Sequence, residues 1–185
     1  MKPMFSIREI DEQARLQFEA ACYRVGQGMA RKAFKEALNS ETGKARTRVR
    51  RAVREQTGVP NRVIVKQIRM KPAKEKSLET GLYASGRAVS LKEFAHKQGS
   101  YGVTAKVWNR SQMFESTFKV SVLGGHVFKR RFRASTKDRL PIAKLWGPII
   151  PREMMKERPV KEFEVSTDRT ARIAMEKLQR LMTGG

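Results

Sequence analysis

The chain is 185 residues long, 39% hydrophobic and 8% aromatic, and carries 40 Lys plus Arg against 18 Asp plus Glu, a formal net charge of +22. That apolar fraction is enough for one modest core and excludes a wholly disordered chain, while no run approaches the roughly 18 apolar residues of a membrane span. The charge excess disfavours an isolated compact state through self-repulsion and points to a polyanionic partner, with nucleic acid ahead of anionic lipid or an acidic protein face.

In chain order, the opening "MKPMFSIREIDEQ" lacks an apolar core of signal-peptide length, which predicts a protein that stays in the cytoplasm where it is made. Residues 7–39 read as one long helix, because Ile10, Ala14, Phe18, Ala21, Cys22, Val25, Met29, Ala33 and Ala37 recur at three- and four-residue steps. Gly26 and Gly28 weaken it, and "NSETG" at 39–43 is expected to end it. Cys22 is the single cysteine, so no intramolecular disulfide can form, and its place on an apolar helical face suits a small buried hydrophobe.

Residues 44–56 form a second, basic helix, with Ala45, Val49, Ala52 and Val53 as a narrow apolar stripe and Gly58 and Pro60 as its stop. Asn61 to Lys71 fits helix or strand. Residues 41–76 hold twelve Lys/Arg against three Asp/Glu. The period then changes to two. Residues 78–85, 87–94, 102–109, 113–122 and 126–133 are strand candidates, and Gly124-Gly125 between the last two is a hairpin signal. An antiparallel sheet with one wet, basic face follows. Phe128 and Phe132 are read as core rather than as base-stacking platforms. Residues 166–182 form a closing helix, capped by Ser166 or Thr167, with Ala171, Ala174, Leu178 and Leu181 inward. The fold class is α+β: a single domain with a helical part (1–70), an antiparallel sheet (76–134), an extended proline segment (139–156) and a C-terminal helix.

Catalysis is not indicated. His96 and His126 lie in different contexts, only three Asp occur, and CxxC, HExxH, GxGxxG and GxxxxGK[ST] are all missing, so neither a metal nor a cofactor is expected. A one-metal nuclease core would want an acid two residues before a lysine, and no Asp-x-Lys or Glu-x-Lys occurs. The histidines and acids are expected at the surface. Phosphate contact is assigned to two basic groups: Lys44, Arg46, Arg48, Arg50, Arg51 and Arg54 on the second helix, and Lys129, Arg130, Arg131 and Arg133 on the sheet. The competing reading is a solvated face, or pairing with acids of a neighbouring chain.

The run "RLPIAKLWGPIIPREM" (139–154) brackets apolar residues with Pro141, Pro148 and Pro151, which forbid a continuous helix or central strand and predict a stiff, extended segment. Leu140, Pro141, Leu145, Trp146, Pro148, Ile149, Ile150 and Pro151 are the candidate protein interface, with Trp146 either anchoring a partner or covering the chain's own sheet. This run resembles a signature of the minor tail protein Z family, the tail completion proteins of long-tailed bacteriophages, and the order of helices, Gly-Gly hairpin, proline run and closing helix resembles theirs too. The resemblance implies a virion structural protein at the head-proximal end of the tail, without enzymatic activity, acting in head–tail joining and retention of the DNA end. It implies partners as well: copies of itself in a ring, hexameric to match the tail, then tail-terminator, tail-tube or other neck proteins, and genomic DNA in the lumen. The rival reading from charge alone is a free-standing, sequence-independent nucleic-acid-binding protein.

Overall fold

The structure is a computed structural model and describes residues 5–7, Leu16, Ala20, Tyr23, 27–130 and 142–183. Its fold is α+β, and the chain divides into two compact units, each built from separate stretches. The first comprises residues 1–52, 68–84 and 154–185; the second comprises 53–67 and 85–153.

The longest element is α1, Gln27–Thr57. It merges the two helices expected from the sequence, so "NSETG" is helix interior rather than a break. The reason is a side chain. Asn39 Nδ2 donates to the Ala73 carbonyl at 3.2 Å, and the Ala73 amide donates to Asn39 Oδ1 at 2.7 Å. An asparagine that ordinarily competes with the helix backbone here satisfies another segment's backbone instead. Asn39→Ala is expected to cost on the order of 1–3 kcal/mol, because both polar groups of buried Ala73 lose their partner. Urea unfolding measures it, and Asn39→Asp, which retains only the acceptor, should fall in between.

Gly43 is tolerated in the same helix, and a Cβ there meets nothing within 4 Å. Gly43→Ala is therefore expected to raise stability by about 0.5–1 kcal/mol in the same assay, by restricting the unfolded chain. The buried face of α1 within the first unit runs through Ala30, Ala33, Phe34, Ala37, Leu38, Ala45 and Val49. Met29, expected on that face, is 57% exposed, since it lies a step off this stripe. Ile10, Ala14, Phe18, Ala21, Cys22, Val25 and Gly26 lie outside the described residues.

Ile7 is strand, not helix. It belongs to β1 (Phe5–Ile7), which pairs with β3 (Thr80–Ala84), and β3 pairs with β2 (Ile68–Lys71), all antiparallel. The ambiguous 61–71 segment is both things at once: helix α2 (Asn61–Gln67) runs directly into β2. The other long helix of the first unit, α4 (Glu157–Thr183), starts well before the Ser166 or Thr167 expected to cap it. Pro159 sits in its first turn, where its missing N–H costs nothing. Ser166 is fully buried mid-helix, and its Oγ accepts from Arg48. The buried stripe of α4 is Pro159, Phe163, Ser166, Thr170 and Ala174, at steps of three and four. The side chains of Thr167, Ala171, Leu178 and Leu181 are outside those described.

In the second unit α1 ends at Gly58, as the sequence predicts. Gly58 is left-handed (φ 71°) and its amide donates to the Arg54 carbonyl at 2.8 Å. Against that helix end lies the hairpin of β5 (Gly102–Val107) and β6 (Arg110–Glu115). Its two-residue turn, Trp108-Asn109, is left-handed at both positions (φ 51° and 55°), as a type I′ turn requires. The Trp108 amide donates to the Thr57 carbonyl at 2.8 Å, and Asn109 Nδ2 donates to the Glu55 carbonyl.

The strand expected at 113–122 is divided. Ser116 turns left-handed (φ 57°), its amide donating to the Tyr101 carbonyl at 3.1 Å, and the chain leaves β6 for β7 (Thr117–Val120) in another sheet. Val122, expected to alternate inward, is 94% exposed in the turn to β8 (His126–Arg130), the turn that holds Gly124-Gly125. β4 (His96–Gln98) pairs with β5, and β9 (Ile142–Lys144) pairs with β8. Residues 87–94 are not a strand: a short 3₁₀ turn, Leu91–Glu93, occupies them. The expected single meander is thus two three-stranded antiparallel sheets here, with a third in the first unit.

Candidate functional site

The basic helix separates into two sets of cations. Lys44, Arg51 and Arg54 are exposed, and Lys44 Nζ already lies 2.6 Å from Glu41 Oε1. Arg46, Arg48 and Arg50 flank the buried stripe and are half-buried. Arg48 donates to Ser166 Oγ and lies 3.9 Å from Glu162, and Arg50 donates to the Ile68 carbonyl. Burial, with neighbouring Arg46 as the second cause, lowers the Arg50 pKa from the ordinary guanidinium value. Helical geometry decides this division. A 100°-per-residue rotation gives one face to solvent, and the long arginine stems at its border fold back over the core. Of the six expected cations, Lys44, Arg51 and Arg54 are thus exposed, and Arg46, Arg48 and Arg50 half-buried.

On the sheet, Lys129 and Arg130 are exposed as expected, with Arg130 5.7 Å from the centroid of the Phe118 ring. Phe128 is buried, in line with the core reading. Arg131, Phe132 and Arg133 lie outside the described residues, as do Leu140 and Pro141.

The described part of the proline run is bound to its own unit through its backbone. After β9, the Leu145 amide donates to Val127 O at 2.9 Å, the Gly147 amide to Val89 O at 2.7 Å, and the Val89 amide to Pro148 O at 2.9 Å. The run then turns into helix α3 (Ile150–Met154), so it is not extended throughout. Pro151 sits in the first turn of α3, where it has no donor to lose. Pro148 is buried, Ile150 is fully buried, and Leu145, Ile149 and Pro151 are half-buried. Of the expected interface residues, Trp146 is the one that stays exposed among those described, at 50%. Lys144 Nζ lies 4.3 Å from its ring centroid, close enough for a cation–π contact.

Trp146 is among the residues lining an open cavity of about 410 Å³ within the second unit. Its lining comes from α2 (Arg62, Lys66 and Gln67 among others), from the segment around the Leu91–Glu93 turn, and from His126 of β8 and Lys144 of β9. Three separated residues meet here. His126 Nδ1 lies 2.9 Å from Ser90 Oγ, and its Nε2 lies 3.0 Å from Lys144 Nζ. An ammonium can only donate, so Nε2 accepts and the ring proton sits on Nδ1, donating to Ser90. Partial burial, then Lys144 and Lys92, lower the His126 pKa, with Glu93 opposing weakly.

This trio is wired against general-base work. A Ser–His nucleophile pair needs the imidazole to accept from the hydroxyl and a carboxylate to steady the imidazolium. Here the imidazole donates to the hydroxyl, and a cation occupies the carboxylate's place. What the arrangement can do is attract an anion. His126 is not the solvated side chain expected from the sequence, and His96 also has a partner, donating from Nδ1 to the Phe94 carbonyl at 2.8 Å. Nor are all acids superficial: Glu41 and Glu153 are buried, the latter accepting from Gln56. Among the described residues no cluster of His, Cys, Asp and Glu could hold a metal, and no helix is long and apolar enough to cross a membrane.

The chain matches no protein-family profile, no curated protein and no solved structure.

Proposed function

We propose that this chain is a structural protein of a tailed-bacteriophage virion, a minor tail or tail-completion protein at the head-proximal end of the tail that supports head–tail joining and retention of the DNA end. The observation that carries the reading is the proline run. Its sequence resembles the tail-completion signature, and its described part is held by its own backbone while presenting one large aromatic, Trp146, to solvent. A rigidly mounted, half-open indole suits docking onto a neighbour with little ordering cost. Repetition in a homo-oligomeric ring would multiply weak phosphate contacts from Lys44, Arg51, Arg54, Lys129 and Arg130 onto DNA in the lumen. Tail-terminator, tail-tube and neck proteins are the partners this role requires. Negative-stain imaging of particles made without this protein tests it: unjoined heads and tails are expected, and normal joining with normal infectivity would sink the proposal.

The charge of +22 favours a second reading, a free-standing sequence-independent nucleic-acid binder. That reading requires salt-steep duplex binding by the isolated protein, lost when Lys44, Arg51 and Arg54 are neutralised and unchanged in Trp146→Ala.

A further inference from the structure

We propose that His126 is a proton-operated latch on Trp146: the neutral imidazole holds the Lys144 ammonium against the indole, and protonation of Nε2 releases that ammonium and bares the ring. The latch stands on the geometry of the second unit. Its consequence for assembly rests on the reading of Trp146 as a docking residue, and the experiment keeps the two apart.

Three contacts run in series. Ser90 Oγ lies 2.9 Å from His126 Nδ1, Lys144 Nζ lies 3.0 Å from His126 Nε2, and the same Nζ lies 4.3 Å from the Trp146 ring centroid. The ammonium is therefore held from two sides, by an acceptor nitrogen and by a π-face. Ser90 is buried just before the Leu91–Glu93 turn, so the imidazole is anchored on its Nδ1 side by a fixed group.

A proton changes one of these contacts. Taken from solvent, it occupies the Nε2 lone pair, and the imidazolium then donates from both nitrogens. The bond from Nδ1 to Ser90 survives. The bond from Lys144 does not, because two donors and two positive charges would stand 3.0 Å apart. Lys144 is held in β9 by its backbone pairing with β8, so its side chain can leave the indole while the strand stays in place.

The surroundings keep the latch closed at neutral pH. The charged groups around His126 are Lys144 of β9, Lys92 and Glu93 of the Leu91–Glu93 turn, Arg62 and Lys66 of α2, which line the same cavity, and Lys119 of β7, opposite Val127. Glu93 is paired with Arg62 at 2.7 Å. Partial burial first, then Lys144 and Lys92, hold the His126 pKa below 6.5, so the ring is neutral at pH 7 and the latch opens on acidification.

The test uses the full chain carrying Trp108→Phe, so that Trp146 is the sole tryptophan. Acrylamide quenching of its emission is followed from about pH 7.5 to 5, across the histidine range. The quenching constant should rise along a one-proton curve with its midpoint below 6.5, by up to about twofold, since a covered face of the ring becomes reachable. His126→Gln should make quenching independent of pH, and Lys144→Thr should hold it high throughout. His96→Gln should keep the step. Nitrogen-15 spectra should show the neutral His126 ring protonated on Nδ1. Circular dichroism reports folding at each pH, and either of the first two variants carries the test if the other does not fold. The proposal is overturned by quenching that does not change with pH in the parent, by a step that survives in His126→Gln or Lys144→Thr or is lost in His96→Gln, or by a neutral ring protonated on Nε2. Sedimentation velocity at both ends of the range reads assembly separately: a quenching step with unchanged association supports the latch and counts against docking of Trp146 onto another copy.

Discussion

Replacing Ile150 by alanine is expected to cost the folded protein about 3 kcal/mol, whereas alanine at Trp146, in the same proline run, is expected to cost less than about 1 kcal/mol. Ile150 is fully buried at the start of α3, and truncating it leaves a cavity in a packed interior. The tryptophan is the larger side chain and would ordinarily be the costlier loss. Half of its surface is already in water, and its backbone contacts survive truncation: the Leu145 and Gly147 amides on either side still donate to Val127 and Val89. Urea denaturation of both variants reads the difference directly. The same pair of variants separates stability from assembly. If Trp146 docks onto a neighbour, Trp146→Ala should fold normally and fail to assemble, while Ile150→Ala should be deficient in both. Equal destabilisation by the two substitutions would mean that the indole closes its own unit.

The second large effect lies in the hairpin. Gly102→Ala is expected to destabilise by on the order of 3 kcal/mol or to abolish folding of the second unit. Gly102 opens β5 with φ 153°, and a Cβ built there would sit 2.1 Å from the Phe114 carbonyl oxygen across the ladder. Backbone cannot move aside as a side-chain tip can. The strand would have to separate from β6 at the Gly102–Glu115 pair, which lies beside the bond from the Val103 amide to Thr117 Oγ1. Thr117 in turn donates to Phe114 O, so the β6-to-β7 bend would loosen too. Thermal unfolding, with amide exchange at Val103 and Thr104, measures both consequences. An alanine variant as stable as the parent would show that the glycine is not required.

What could be read in advance follows from how local each cause is. β3, β5 and the β7–β8 hairpin were legible because alternation and Gly-Gly are local signals, and the α1 stop because Gly58 supplies the left-handed residue. The continuity of α1 was not legible. Asn39 looks like a breaker until its amide meets the Ala73 backbone, a partner far along the chain. The Trp108-Asn109 turn was missed because neither residue is glycine; asparagine in that position was the available signal. Ser90, His126 and Lys144 carry no spacing that marks them as a group, and only the pairing of β8 with β9, and the apposition of 89–91 with 145–148, brings them together.

The sequence by itself determined the α+β class, the antiparallel pairing, the surplus of cations and the proline brackets, since each depends on composition or on neighbours within a few residues. Tertiary structure decided how far each cation is covered and what lies beside it: Arg46, Arg48 and Arg50 are half-buried at the border of a buried stripe, while Lys66, Lys92 and Lys144 line one cavity. It also decided that the described part of the proline run is fastened to its own unit with Trp146 left open. The reason is physical: burial and convergence are properties of the packed chain, and a residue's charge in the sequence does not say what will lie beside it.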